Sequence, residues 1–268
     1  MAERALAGAR GVSGTARHFH IGSSGWHYKH WIGPFYPRGL SASNMLAWYA
    51  ERFETVEINN SFYRMPSEAA VRKWAETVPP DFRFAVKASR YITHMKKLKD
   101  PEAALQRFLP VVEGLRRKLG PILFQLPPQW PPDLERFSAF LDALPPRHRY
   151  AFEFRNPEWH ADPVYRLLEK RRAAFCIFDM AGFASPVRIT AKFAYVRLHG
   201  PGGKYQGRYS RRELERWAGT IERWRLADVF VYFDNDERGF AVRNAAELQR
   251  MLAGAAPETL RPPQTLKR

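Results

Sequence analysis

The chain of 268 residues carries 43 Lys and Arg against 27 Asp and Glu, a formal charge of +16 at neutral pH, and is 45% apolar and 14% aromatic. That composition excludes a fully disordered chain or a fibrous repeat, and the length admits one large α/β barrel or two modest domains. A single cysteine, Cys176, excludes an internal disulfide framework and a Cys-rich zinc site, and no segment approaches the roughly 18 apolar residues of a membrane span.

In chain order, residues 1–18 hold three arginines and no sustained apolar run, so they read as a tail without a secretory leader, and a cytoplasmic location is expected. Residues 19–253 read as one domain, followed by a tail over 254–268. The first predicted strand is His18–Ser23. The second, Thr55–Asn59, puts Glu57 and Asn59 on one face and Val56 and Ile58 on the other. Pro66-Ser67 then heads a helix, and Arg83–Lys87 is the third strand. Asp100-Pro101 sets an N-cap acceptor before a proline at the first helical position. The helix it opens shows a buried face in Leu105, Phe108, Leu109, Val112 and Leu115.

Strand four, Ile122–Leu126, contains Gln125; strand five, Tyr150–Arg155, alternates Glu153 and Arg155 with Phe152 and Phe154. Asp162-Pro163 repeats the cap-and-proline signal. Strand six, Ala174–Asp179, leads into Met180–Lys192, where Gly182 and Pro186 predict an irregular connection in place of a helix. Strand seven, Phe193–His199, sets Arg197 and His199 on one side. Ser210 and Glu213 have capping-box spacing, and Asp228–Asn235 is the eighth strand.

Eight strands in β-then-α order predict an α/β fold, a parallel eight-stranded (β/α)8 TIM-type barrel; an open doubly wound sheet is the alternative, without a glycine-rich fingerprint after the first strand. In such a barrel, chemistry belongs at the C-terminal strand ends and the loops beyond them. There the inward positions are ionisable or amide residues among large apolar ones. One reading is a salt-bridged polar plug in which Lys87, Arg155 and Arg197 neutralise Glu57 and Glu153; the other is a functional cluster.

The chain also resembles a known family. The matching motifs are Ile21-Gly22-Ser23-Ser24-Gly25-Trp26, Trp31, Phe35-Tyr36-Pro37, Val56-Glu57-Ile58-Asn59-Asn60-Ser61-Phe62-Tyr63-Arg64, Phe84-Ala85-Val86-Lys87, Phe124-Gln125-Leu126-Pro127-Pro128, Glu153-Phe154-Arg155 with Trp159, and Arg197-Leu198-His199-Gly200. In this order they look like the YecE-like family, domain-of-unknown-function family 72. The resemblance covers roughly residues 19–252 and implies a TIM-type barrel without a settled activity. Fold analogy links such barrels to nucleic-acid-processing and sugar-isomerase barrels, which is a weak warrant for function. The zinc cluster of barrels that cut at abasic sites has no counterpart in the ligand supply, since only His199 sits at a strand end.

Metal-free acid/base chemistry is therefore the preferred expectation, with no cofactor. Glu57 or Glu153 would act as general base and His199 as proton shuttle, with Lys87 either a carboxylate partner or a desolvated amine able to form a Schiff base. A single divalent ion on Glu57, Glu153, Asp179 and His199 is the lesser possibility. Arg155 and Arg197 suit phosphate or carboxylate, so the expected partner is an anionic small molecule or nucleic acid, with no membrane. Asn59, Gln125 and Asn235 join them as substrate contacts. So do Trp26, Tyr63, Trp159 and Tyr205, from an aromatic rim that also includes Tyr28, Trp31, Tyr36, Phe62, Trp130 and Tyr209; at least half of that rim is expected to be packing anchors. Gly200–Tyr205 has the composition of a phosphate-gripping loop. The expected activity is a hydrolase or an isomerase or lyase on an anionic substrate. The alternatives are a glycoside hydrolase with paired glutamates and a non-catalytic nucleic-acid-binding protein.

Overall fold

The structure, a computed structural model, describes residues 17–203 and 205–254; most of both expected tails and Lys204 of the glycine-rich loop lie outside the described residues. Eight parallel strands follow the expected order: β1 His18–Ser23, β2 Thr55–Ile58, β3 Arg83–Lys87, β4 Leu119–Leu126, β5 Tyr150–Phe154, β6 Ala174–Met180, β8 Phe193–Leu198 and β9 Asp228–Phe233. Between β6 and β8 the two-residue β7, Phe183–Ala184, pairs antiparallel with the end of β6. Neighbours run β1-β9-β8-β6-β5-β4-β3-β2, which brings β1 back beside β2 and nearly closes a TIM-type barrel. The helices α1 Met45–Ala50, α2 Glu68–Thr77, α3 Pro101–Glu113, α4 Leu134–Ala143, α5 Asp162–Lys170, α6 Arg211–Arg223 and α7 Phe240–Leu252 connect them. None is long and apolar enough to cross a membrane.

The β1/β2 seam closes without a full ladder. Ser24 bridges Glu57, the Gly25 N–H donates to the Glu57 carbonyl at 2.8 Å, and below them a side chain takes over. The Ser23 N–H donates to the Tyr49 hydroxyl at 2.9 Å, and that hydroxyl donates to the Thr55 carbonyl at 3.2 Å. The backbone groups of both edges are thus paired through α1. Gly22 is needed here because a Cβ would lie 2.3 Å from the Thr55 carbonyl oxygen.

Strand parity explains the core. One face of each strand packs under the helices, and the other fills the barrel with Ala85, Leu123, Ala151, Ala174, Cys176, Phe193, Tyr195, Phe230 and Tyr232. Alanines on β3, β5 and β6 leave room for the large rings of β8 and β9. Tyr195 and Tyr232 are usable in that interior because each hydroxyl has a partner, on Glu57 at 2.7 Å and Thr55 at 2.7 Å. The connection after β6 is irregular, as expected, and it substitutes for missing pairing. Thr190 accepts from the Phe175 N–H and Ser185 from the Phe178 N–H.

The buried face expected of α3 is buried throughout. The Ser210–Glu213 capping box is formed, and Ser67 caps α2 through the Ala70 N–H. Two cap expectations fail. Asp100 stands before α3 in the left-handed region and pairs with Lys96 instead of the helix, and Asp162 is already inside α5, behind an uncapped Ala161.

Candidate active site at the barrel mouth

Inward parity carries the strand ends to one place. On β8, Arg197 follows Tyr195 by two residues and lies level with Phe178 and Tyr232. Its side chain is fully buried, and its charge is held by three carboxylates. Nε and Nη2 donate to the two Glu57 oxygens at 3.0 and 2.8 Å, Nη1 donates to Glu153 at 2.7 Å, and Nη2 also reaches Asp234 at 3.1 Å. Burial opposes the charge on Arg197, and Glu57, Glu153 and Asp234 outweigh it. Glu57 also accepts from the Ser24 hydroxyl at 2.5 Å and from Tyr195, so both of its oxygens are fully engaged.

Glu153 accepts from Arg197 on one oxygen and from Arg155 Nε at 2.6 Å on the other. Burial would raise its pKa, but Arg155, Arg197 and His199 together hold it well below the usual carboxylate range. Asp234 is held low in the same way by Arg197 and His199 against its burial. The imidazole of His199 is fully buried; burial first and Arg197 second lower its pKa, so it is neutral at pH 7. Its Nδ1 is paired with Asp234 at 3.0 Å, while its Nε2, 3.9 Å from Glu153, forms no hydrogen bond among the described residues.

Above this network lie groups with unused capacity. Lys87, at the end of β3, is 5% exposed, and its amine makes no hydrogen bond or ion pair among the described residues; it stands 4.2 Å over the Phe62 ring. Burial, then Arg197, lowers its pKa to about 8. Arg155 Nη2 and Asn59 Oδ1 are buried without partners among the described residues. Gln125, level with Glu153 on the neighbouring strand, is buried, and its amide has no hydrogen bond among the described residues. The β8–α6 loop lays Tyr205 over the mouth, its ring 5.6 Å from His199 and its hydroxyl in electrostatic contact with Arg155. His94 stands beside Phe62 with a pKa lowered to about 4 by burial, Lys87 and Arg90.

Of the predicted site, the structure gathers Glu57, Glu153, Lys87, Arg155, Arg197, His199, Gln125 and Tyr205, while Asn59 leaves the strand alternation in a helical conformation after β2. It places five residues elsewhere. Trp26 packs edge-on against Trp74 under α2, and Trp159 stacks on Phe154 with its indole N–H on the Trp130 carbonyl. Asn235 faces outward, where its amide nitrogen joins Gly207 to Asn244 of α7. Asp179 also faces the helix layer, hydrogen-bonded to Tyr209 and Trp217, so the proposed four-residue metal set is not assembled. Among the described residues no group of three or more His, Cys, Asp or Glu could hold a metal ion.

Tyr63 is 71% exposed, beyond the mouth, while Trp31, Tyr36, Phe62, Trp130 and Tyr209 are buried anchors. Two site residues escaped the sequence reading. Asp234 was legible, since it shares the face of Tyr232 at a spacing of two. His94 was not, because it stands in the five-residue π-turn Tyr91–Met95, which has no strand periodicity.

A family model described as a protein of unknown function, DUF72, matches residues 20–267. The UPF0759 protein YunF of Bacillus subtilis is 28% identical, over 90% of this chain and 98% of its own length. The UPF0759 protein YecE of Escherichia coli is 31% identical over 53% of this chain and 50% of its own. Among solved structures, a DUF72 family protein from Thermotoga maritima superposes with a TM-score of 0.80 at 28% identity, covering 88% of this chain and 99% of that one. Another from Enterococcus faecalis gives 0.74 at 19% identity, covering 92% and 99%.

Proposed function

Since this chain belongs to the DUF72 family, whose description names no reaction, we propose from the mouth itself that it is an enzyme acting on a small anionic substrate by metal-free acid/base chemistry. One observation carries this reading: polar groups without protein partners converge above a network whose own charges are matched. Arg155 Nη2, His199 Nε2 and Asn59 Oδ1 are buried and unpaired among the described residues. Each such group costs about 1–3 kcal/mol, a cost that a ligand with an acceptor for Arg155 and hydroxyl donors for His199 and Asn59 would offset. Arg155 is the donor for a phosphate or carboxylate. Neutral His199 is the proton carrier, oriented by Asp234. Glu57 and Glu153 hold Arg197 in place and act through it and Arg155.

The glycosidase reading loses support on the same geometry. It needs one carboxyl protonated and one poised to attack, whereas Glu57 and Glu153 are bound to a single guanidinium, with the Glu153 carboxyl held well below its usual range. A nucleic-acid platform loses its stacking surface, because most of the expected aromatic rim is buried. The test is calorimetry with glycerol 3-phosphate and lactate, beside an activity screen over sugar phosphates and oxo acids. Binding should be lost in Arg155→Gln and activity lost in His199→Gln. Should neither anion bind, or should both variants match the parent, the reading fails.

A further inference from the structure

We infer that Lys87 is a covalent catalyst that forms an imine with a carbonyl group of the substrate. The inference rests on the anionic-substrate reading above for what brings that carbonyl to the mouth. A lysine placed to carry charge would sit on a carboxylate. Three carboxylates are in this mouth, and all three are turned to Arg197, while Lys87 forms no ion pair among the described residues. Its amine instead lies against the Phe62 ring, within a residue that is 5% exposed, at the C-terminal end of a barrel strand. An apolar wall on one side and Arg197 behind favour the neutral amine, and the pKa of about 8 leaves a useful fraction of it unprotonated near pH 7.

The step balances without an oxidant or metal. The nitrogen lone pair attacks the carbonyl carbon, the carbon–oxygen π pair moves to oxygen, and an amine proton passes to that oxygen to give a carbinolamine. The nitrogen lone pair then closes the C=N bond as the hydroxyl takes up a proton from solvent and leaves as water, giving the iminium. His94 and His199, both neutral, are the bases available to relay these protons. An iminium withdraws electrons from the adjacent carbon, which favours the isomerase or lyase reading over the hydrolase, with an aldehyde or ketone bearing phosphate or carboxylate as the substrate class.

The chain contains eleven lysines, so the others serve as internal standards. The intact protein is treated at pH 7 with cyanoborohydride and, separately, dihydroxyacetone phosphate, pyruvate, glyoxylate and acetone, and the modified lysines are mapped by peptide mass. The expected result is Lys87 gaining the mass of an anionic carbonyl less one oxygen at least tenfold faster than any other lysine, with glycerol 3-phosphate or lactate slowing it. Lys87 reacting no faster than surface lysines with all four compounds overturns the imine. If that occurs while glycerol 3-phosphate still binds through Arg155, only the imine falls. Fast labelling of Lys87 by acetone, with no anion bound, sinks the anionic reading and leaves the imine standing.

Discussion

Replacing Arg197 with methionine would strand Glu57, Glu153 and Asp234 around an apolar side chain, and a loss of about 3–5 kcal/mol is expected in urea unfolding. Lys87→Met should act in the opposite direction. Its folded pKa of about 8 lies below the unfolded value near 10.4, so the folded state binds fewer protons between them and stability rises with pH across that window. Below pH 8 the buried charge is a net cost, and the methionine variant should melt a few degrees higher at pH 7 and lose that pH dependence. A residue that costs stability where it stands is what an active site retains. At acid pH the slope has the same sign, but the groups stabilise the fold instead of costing it. Glu153, Asp234 and Asp228, the last lowered to about 2 chiefly by its hydrogen bond with His20, contribute stability above the unfolded carboxylate range near pH 4. The urea midpoint should fall as pH drops from 4 towards 2. At this scale parity alone located Glu57, Glu153, Arg197 and His199, because a two-residue period fixes the face. It could not show that one guanidinium takes up all three carboxylates, since that depends on side chains from four strands.

The weak element boundary is the seam between β1 and β2. Tyr49→Phe removes the hydroxyl that accepts from Ser23 and donates to Thr55, leaving two buried backbone groups unpaired. About 1–3 kcal/mol should be lost, with faster hydrogen exchange at the Ser23 amide than in the β8–β9 ladder. Strand positions were legible because short β-branched and aromatic runs stood between helix signals. Caps were less so. Ser67 and Ser210 capped as their spacing predicted, whereas Asp100 was drawn to Lys96, a local competition that a motif does not weigh. The aromatic loops misled for a related reason. Trp26 and Trp159 follow strand ends as mouth residues would, but large rings in short loops bury most area by turning under the helices.

Across the whole molecule, the +16 charge separates into a matched interior and an unmatched exterior. Lys87, Arg155 and Arg197 share the mouth with Glu57, Glu153 and Asp234, so the excess lies outside it. Retention on single-stranded DNA at low salt should therefore be non-specific, fall at least tenfold between 50 and 200 mM salt, and be the same in Arg155→Gln; filter binding measures it. The order of strands and helices, the count of eight and the inward face of each strand were determined by the sequence alone, because hydrophobic period and turn chemistry are local properties of the chain. Which inward residues meet was decided by closure of the barrel. Closure set Arg197 among three acids and left Lys87 beside Phe62, and it turned Asp179 and Asn235, one residue out of phase, towards the helices. Burial then imposed the energetic condition that charges be paired or lowered in pKa, and only the assembled interior has the low dielectric that enforces it.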